Sequence, residues 1–190
     1  MSGASFEDIS RIVTEIYQET LGITSGQVAN YIPQLANVNP NLFGISVCSV
    51  TGEMFHIGDT EQEFCIQSCC KPLNYCLART TSTSEVHSHV GYEPSGRAFN
   101  SFVLNERGLP HNPLINAGAI MVSSLIQPTE EPSVRFNTVK DFYHKLSGGI
   151  GKVGFDNGVF LSEKHHADRN ISLAYYMREN NAFPGHQPTC

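Results

Sequence analysis

The sequence has no tryptophan, few charges and no long apolar run, and these shortages exclude whole classes of protein. Only 16% of its 190 residues are charged, the net charge is −6, and neither lysine nor arginine forms a run. Such a chain has no electrostatic grip on nucleic acid or anionic lipid. Small molecules and proteins are left as partners. No stretch reaches the roughly 18 apolar residues of a membrane span. The first twenty residues carry Glu7, Asp8, Glu15 and Glu19, where targeting peptides avoid acid, so the chain reads as cytosolic. Repeats, low-complexity tracts and flexible linkers are also missing, and nothing marks two independently folding domains.

Zinc-type C-x-x-C pairs are absent as well. The six cysteines are Cys48, Cys65, Cys69, Cys70, Cys76 and Cys190, and four of them crowd into residues 65–76 of an apolar stretch. Reduced, mostly buried thiols are the expectation. His87-x-His89 and His165-His166 lack a third Asp, Glu or Cys at ligand spacing, so no metal is assigned.

What is present is ordinary globular material, with 40% hydrophobic residues and enough length to bury a core. Ser5 followed by Asp8 reads as a helix cap, and Phe6, Ile9, Ile12, Val13, Ile16 and Tyr17 recur at helical spacing, predicting a helix over 6–21. A shorter helical segment is expected over 26–38, interrupted by Pro33. Leu42 to Val50 and Met54 to Ile57, joined through Thr51-Gly52, read as a β-hairpin. After Ser68 a helix is expected, with Pro72 tolerable only in its first turn. Residues 80–113 carry loop signals, and helices are predicted over 114–126, 137–146 and 168–180, the last two capped by Asn137 and Asp168. A lone hairpin is marginal in water. Either helices cover it, or strands belonging to this fold lie outside the chain.

Ser68-x-x-Lys71 at a helix start sets a hydroxyl one turn from an amine. The helix N-terminus favours a developing anion and lowers the amine's pKa, a pairing suited to nucleophile and base. The same four letters also describe an N-cap serine beside a surface lysine. As a penicillin-recognising motif it lacks the accompanying Lys-Thr-Gly and Ser-Asp-Asn.

The context is more specific. Tyr31-Ile-Pro-Gln-Leu, Gln67-Ser-Cys-Cys-Lys-Pro-Leu73, Glu93-Pro-Ser-Gly, Asn112-Pro-Leu-Ile-Asn-Ala-Gly-Ala-Ile120, Ser-Glu163 and Asp168-Arg-Asn170 follow in order. Together they resemble the glutaminases, above all the animal kidney/liver type. That resemblance implies an α/β fold similar to serine β-lactamases and penicillin-binding proteins. It also implies hydrolysis of L-glutamine to L-glutamate and ammonia without a cofactor. Ser68 becomes the nucleophile and Lys71 its base, through a γ-glutamyl ester. Tyr31, Gln67, Ser68 itself, Asn116, Glu163 and Asn170 become substrate contacts. A carboxylate such as Glu163 suits an α-ammonium group, while amides and a tyrosine hydroxyl suit an α-carboxylate. Taken singly these residues have plainer readings: a core aromatic, a helix-start amide, a solvated acid, a first-turn residue.

The expected organisation is a helical extension over 1–24, a partial catalytic domain over 25–184 and a divergent tail over 185–190. The fold is therefore expected to be incomplete. In the part beyond, the family supplies further strands, a proton-relaying tyrosine and the second oxyanion N–H. Loss of one oxyanion donor costs about 10²- to 10³-fold in rate. Two readings follow: a slow glutaminase, or an inactive form that associates with full-length glutaminase subunits, the family being homotetrameric. Animal members are usually mitochondrial, in contrast with the acidic start of this chain.

Overall fold

In the computed structural model, which describes residues 5–81, 85–149 and 153–185, Ser5 opens the first helix as its cap. The Ser5 hydroxyl accepts the Asp8 N–H at 3.1 Å, and the Asp8 carboxylate accepts the Ser5 N–H at 3.2 Å. This reciprocal box satisfies two donors that a helix start leaves unpaired. Helix α1 runs Phe6–Thr20. Ser5→Ala is expected to cost about 1 kcal/mol, read as a lower urea midpoint for loss of α1 signal; an unchanged midpoint would show that the box contributes nothing.

α1 belongs to a compact unit over Met1–Cys65. The other elements of that unit are α2 (Pro33–Ala36) and the strands β1 (Gly44–Cys48) and β2 (Met54–Gly58). The strands pair antiparallel, with Ile45 opposite Ile57, Val47 opposite Phe55 and Ser46 opposite His56. The first two pairs share the half-buried face, and the third lies outside with Ser46 Oγ 3.0 Å from His56 Nδ1. Gly52, at φ +90°, makes the turn, a conformation side-chain-bearing residues resist. Tyr17 of α1 stacks on Phe43 with ring centroids 5.1 Å apart, which ties α1 to the entry of the hairpin.

The second unit covers Ile66–Cys190 and is helical. It contains α3 (Cys70–Thr81), α4 (Asn116–Leu125), α5 (Pro132–Leu146), α6 (Asn157–His165) and α7 (Asp168–Glu179). Helix α4 is apolar nearly all round and contributes Ala117, Met121, Val122 and Leu125 to the core, as a helix buried on several sides must. Leu77 and Ala78 of α3, Leu173 and Met177 of α7, and Val86, Val90, Leu109, Ile126 and Ala182 from the connecting segments complete it.

Several expectations are corrected. The helix expected over 26–38 shrinks to Pro33–Ala36, because a proline cannot donate within a helix and takes its first position instead. α5 begins at Pro132, so Asn137 is an interior residue and not a cap. Ala167 holds the N-cap position of α7, and Asp168 is its first helical residue. Helix α6 was not expected at all, although Asp156 caps it by accepting the Val159 N–H at 3.0 Å. The described cysteines are free, but Cys48, Cys65, Cys69 and Cys76 are exposed and only Cys70 is partly covered. Cys190 and all of the 185–190 tail except Gly185 lie outside the described residues.

Candidate functional site

The site begins where the chain enters α3. Gln67 sits at φ +44°, a left-handed conformation that costs a non-glycine residue on the order of 1–2 kcal/mol. Strain of this kind collects at functional positions. Ser68 follows, exposed, in a single 3₁₀ turn over Gln67–Cys69. Lys71 is the second residue of α3, so Pro72 falls in the first turn, where its missing N–H is harmless.

Lys71 is partly buried, and its Nζ donates to Asn116 Oδ1 at 2.8 Å. Removal of the ammonium from water holds its pKa below the ordinary 10.5, while the neighbouring Cys70 thiol pushes weakly the other way. The same amine lies 5.7 Å from the centre of the Phe99 ring. Asn116 in turn donates its Nδ2 to Asn170 Oδ1 at 3.0 Å. Lys71, Asn116 and Asn170 thus form one hydrogen-bonded row drawn from α3, α4 and α7.

Local chemistry holds that row. Asn112 Oδ1 accepts the Leu114 and Ile115 N–H groups at 3.0 and 3.2 Å, and its Nδ2 donates to Glu93 O at 3.0 Å. The Asn116 N–H donates to Phe99 O at 2.9 Å. The start of α4 has no side-chain cap of its own, so these loop bonds take the cap's place. Beside Asn170, Arg169 donates its Nε to Asn100 O at 3.1 Å and stands 4.5 Å over the Phe102 ring.

The remaining expected residues are placed differently. Glu163 sits on α6, and its Oε1 is buried with no hydrogen-bond partner. A carboxylate oxygen in that state is costly unless a donor or cation arrives. Tyr31 is exposed and belongs to the first unit. Ser68 and Lys71 are not hydrogen-bonded to each other among the described residues; the lysine bond goes to Asn116. The histidine motifs serve local structure. His87 bridges Tyr75 OH at 2.7 Å and Val90 O at 3.1 Å, and His166 Nδ1 meets Ser162 O at 2.8 Å. Among the described residues, no three His, Cys, Asp or Glu side chains gather as a metal site would require. Sequence reasoning missed Phe99 and Arg169. Phe99 lies in an aperiodic loop that offers no signal, whereas Arg169 was legible as the middle of Asp168-Arg-Asn170.

The mixed α/β chain superposes on solved glutaminases, which places it in the class of serine β-lactamase-like folds. The family model for glutaminase matches residues 26–189. The chain belongs to the glutaminase family. It is 44% identical over 180 residues to the mitochondrial liver isoform of glutaminase from Rattus norvegicus, covering 94% of this chain and 30% of that protein. It is 41% identical over 175 residues to a glutaminase of Rhizobium meliloti, covering 90% and 55%. A solved probable glutaminase, ybaS, superposes with a TM-score of 0.86 at 28% identity, covering 95% of this chain and 58% of that one. The chain therefore spans about a third to somewhat over half the length of these relatives. No helix among the described residues is long and apolar enough to cross a membrane.

Proposed function

We propose that the chain hydrolyses the side-chain amide of L-glutamine to L-glutamate and ammonia through an acyl-enzyme on Ser68. The observation that carries the reading is the partly buried Lys71 amine, held by Asn116 and three residues after the serine. A neutral amine has a lone pair for the Ser68 proton and can keep one N–H on Asn116 Oδ1 throughout. Ser68 Oγ attacks the γ-carbonyl, and Lys71 takes the hydroxyl proton and passes it to the departing nitrogen. Ammonia leaves, and a γ-glutamyl ester remains for water to cleave.

The amide row suits the other end of the substrate. Asn116 Nδ2 is partly spent on Asn170 Oδ1, which turns the Asn170 amide N–H groups away from Asn116 toward an incoming acceptor. That polarity fits an α-carboxylate, with Gln67 as a further contact. The unpartnered Glu163 Oε1 fits the α-ammonium.

Catalysis by Lys71 has a pH signature. Its pKa lies below 10.5, so activity is expected to climb with pH through an apparent pKa under that value as the amine loses its proton. Lys71→Arg is expected to lower the rate about 10²- to 10⁴-fold without restoring the rise, since a guanidinium keeps its proton. A Lys71→Arg chain with the parent's pH–rate curve would remove Lys71 from the mechanism. The stability linkage has the same sign. The folded state releases this proton earlier than the unfolded chain, so the destabilisation present at neutral pH fades as pH rises toward 10.5.

A second reading is that the chain associates with full-length glutaminase subunits without turnover. It is favoured by the 30% share of the rat relative that the chain spans. Co-purification with a complete subunit, from protein that is folded yet releases no ammonia, distinguishes it.

A further inference from the structure

A second built feature lies where α3, α5 and the end of α4 meet. Arg135 of α5 reaches over the C-terminal end of α4, where its Nε donates to Ile126 O at 2.9 Å and its Nη2 to Ser123 O at 2.7 Å. These bonds satisfy carbonyls that a helix end leaves open, and they hold the guanidinium in one orientation. A guanidinium has five N–H groups. Two are spent here, which leaves both hydrogens of Nη1 and one of Nη2 along the outer edge. No carboxylate pairs with Arg135 among the described residues.

Asn74 of α3 borders the same cleft, of about 240 Å³. Its Oδ1 accepts the Tyr143 hydroxyl proton. Burial pushes the Tyr143 phenol up to about 12, so the hydroxyl stays a donor and the Asn74 amide keeps its N–H groups for another acceptor. The rest of the lining is chiefly apolar, from Ile126, Pro132, Phe136 and Val139. The cleft thus combines a fixed cation and an amide donor with a hydrocarbon surface, and its size suits only a small occupant.

We propose that this cleft binds a small carboxylate bearing a short apolar chain. The carboxylate lies on the outer edge of Arg135 and the Asn74 amide, and the chain lies against Ile126, Pro132, Phe136 and Val139. Bidentate geometry favours the guanidinium edge for a carboxylate. The apolar lining favours an organic anion over inorganic phosphate, whose remaining oxygens would meet no donor there. The inference is independent of the reading of Ser68.

The test is a titration of the ¹⁵N-labelled chain with butyrate, followed by amide ¹H–¹⁵N spectra. Saturable shifts are expected around 123–127 and 132–139, with half-saturation on the order of millimolar. Val139→Phe fills the cleft and leaves Arg135 in place; it is expected to weaken binding at least about tenfold, a loss of about 1.4 kcal/mol. Arg135→Gln should weaken it too, but it also uncaps α4, so Val139→Phe is the deciding variant. Linear, unsaturable shifts would overturn the proposal, as would unchanged affinity in Val139→Phe. Equal saturation by inorganic phosphate at matched ionic strength would overturn the carboxylate assignment.

Discussion

Ser68→Ala is expected to reduce glutamine hydrolysis by the purified chain to the uncatalysed background, a fall of about 10³-fold or more. The size follows from the role. A nucleophile that forms the covalent intermediate has no substitute, whereas substrate contacts share their load. The Asn116–Asn170 row and Glu163 are untouched by this change, so glutamine affinity should alter little while turnover disappears. The measurement is ammonia and glutamate release from glutamine, with circular dichroism showing that parent and variant are equally folded. Equal release from both would remove Ser68 from the mechanism. No release from a folded parent would favour association with full-length subunits.

Gly118→Ala is the second large effect, and it acts through backbone geometry. A Cβ at this position would stand 1.8 Å from Asn112 O, 2.7 Å from Asn112 C and 3.0 Å from Pro113 Cα. These are main-chain atoms of the segment that holds the start of α4, so no side chain can rotate out of the way. Relief requires α4 to separate from residues 112–113, which pulls Asn116 away from Lys71 and opens the core around Ala117 and Met121. A loss of about 3 kcal/mol or more is expected, with much of the Ser68-dependent activity. Gly154→Ala is the control, since its added Cβ meets nothing within 4 Å. Urea midpoints of the two variants check this. Coincident midpoints would mean that the close packing of α4 on Asn112 contributes little.

The candidate site was partly readable before any coordinates. Ser68 and Lys71 stand three apart at a helix start, and that spacing alone sets them on one side of the chain. The pairing of Lys71 with Asn116 was not readable, because 45 residues separate them and the contact depends on how α3 packs against α4. Likewise, Asn116 and Asn170 were expected to face a substrate, and the structure shows that part of their hydrogen-bonding capacity is spent on Lys71 and on each other. The unpartnered oxygen of Glu163 was invisible for the same reason, since burial is a property of packing. Helix α6 escaped notice because its short Gly- and Phe-containing stretch has no sustained apolar period, and only the Asp156 cap marks its start.

What the sequence determined by itself was local. The Ser5 box, the hairpin of β1 and β2, the glycine in its turn and the helix α4 each follow from interactions among near neighbours, and each appears in the structure. Exposure of the cysteines, the early start of α5, the ring of Phe99 over the Lys71 amine and the fixed guanidinium of Arg135 were decided by tertiary packing. Each depends on which surfaces meet, and a one-dimensional pattern records which residues prefer to be covered but not what covers them.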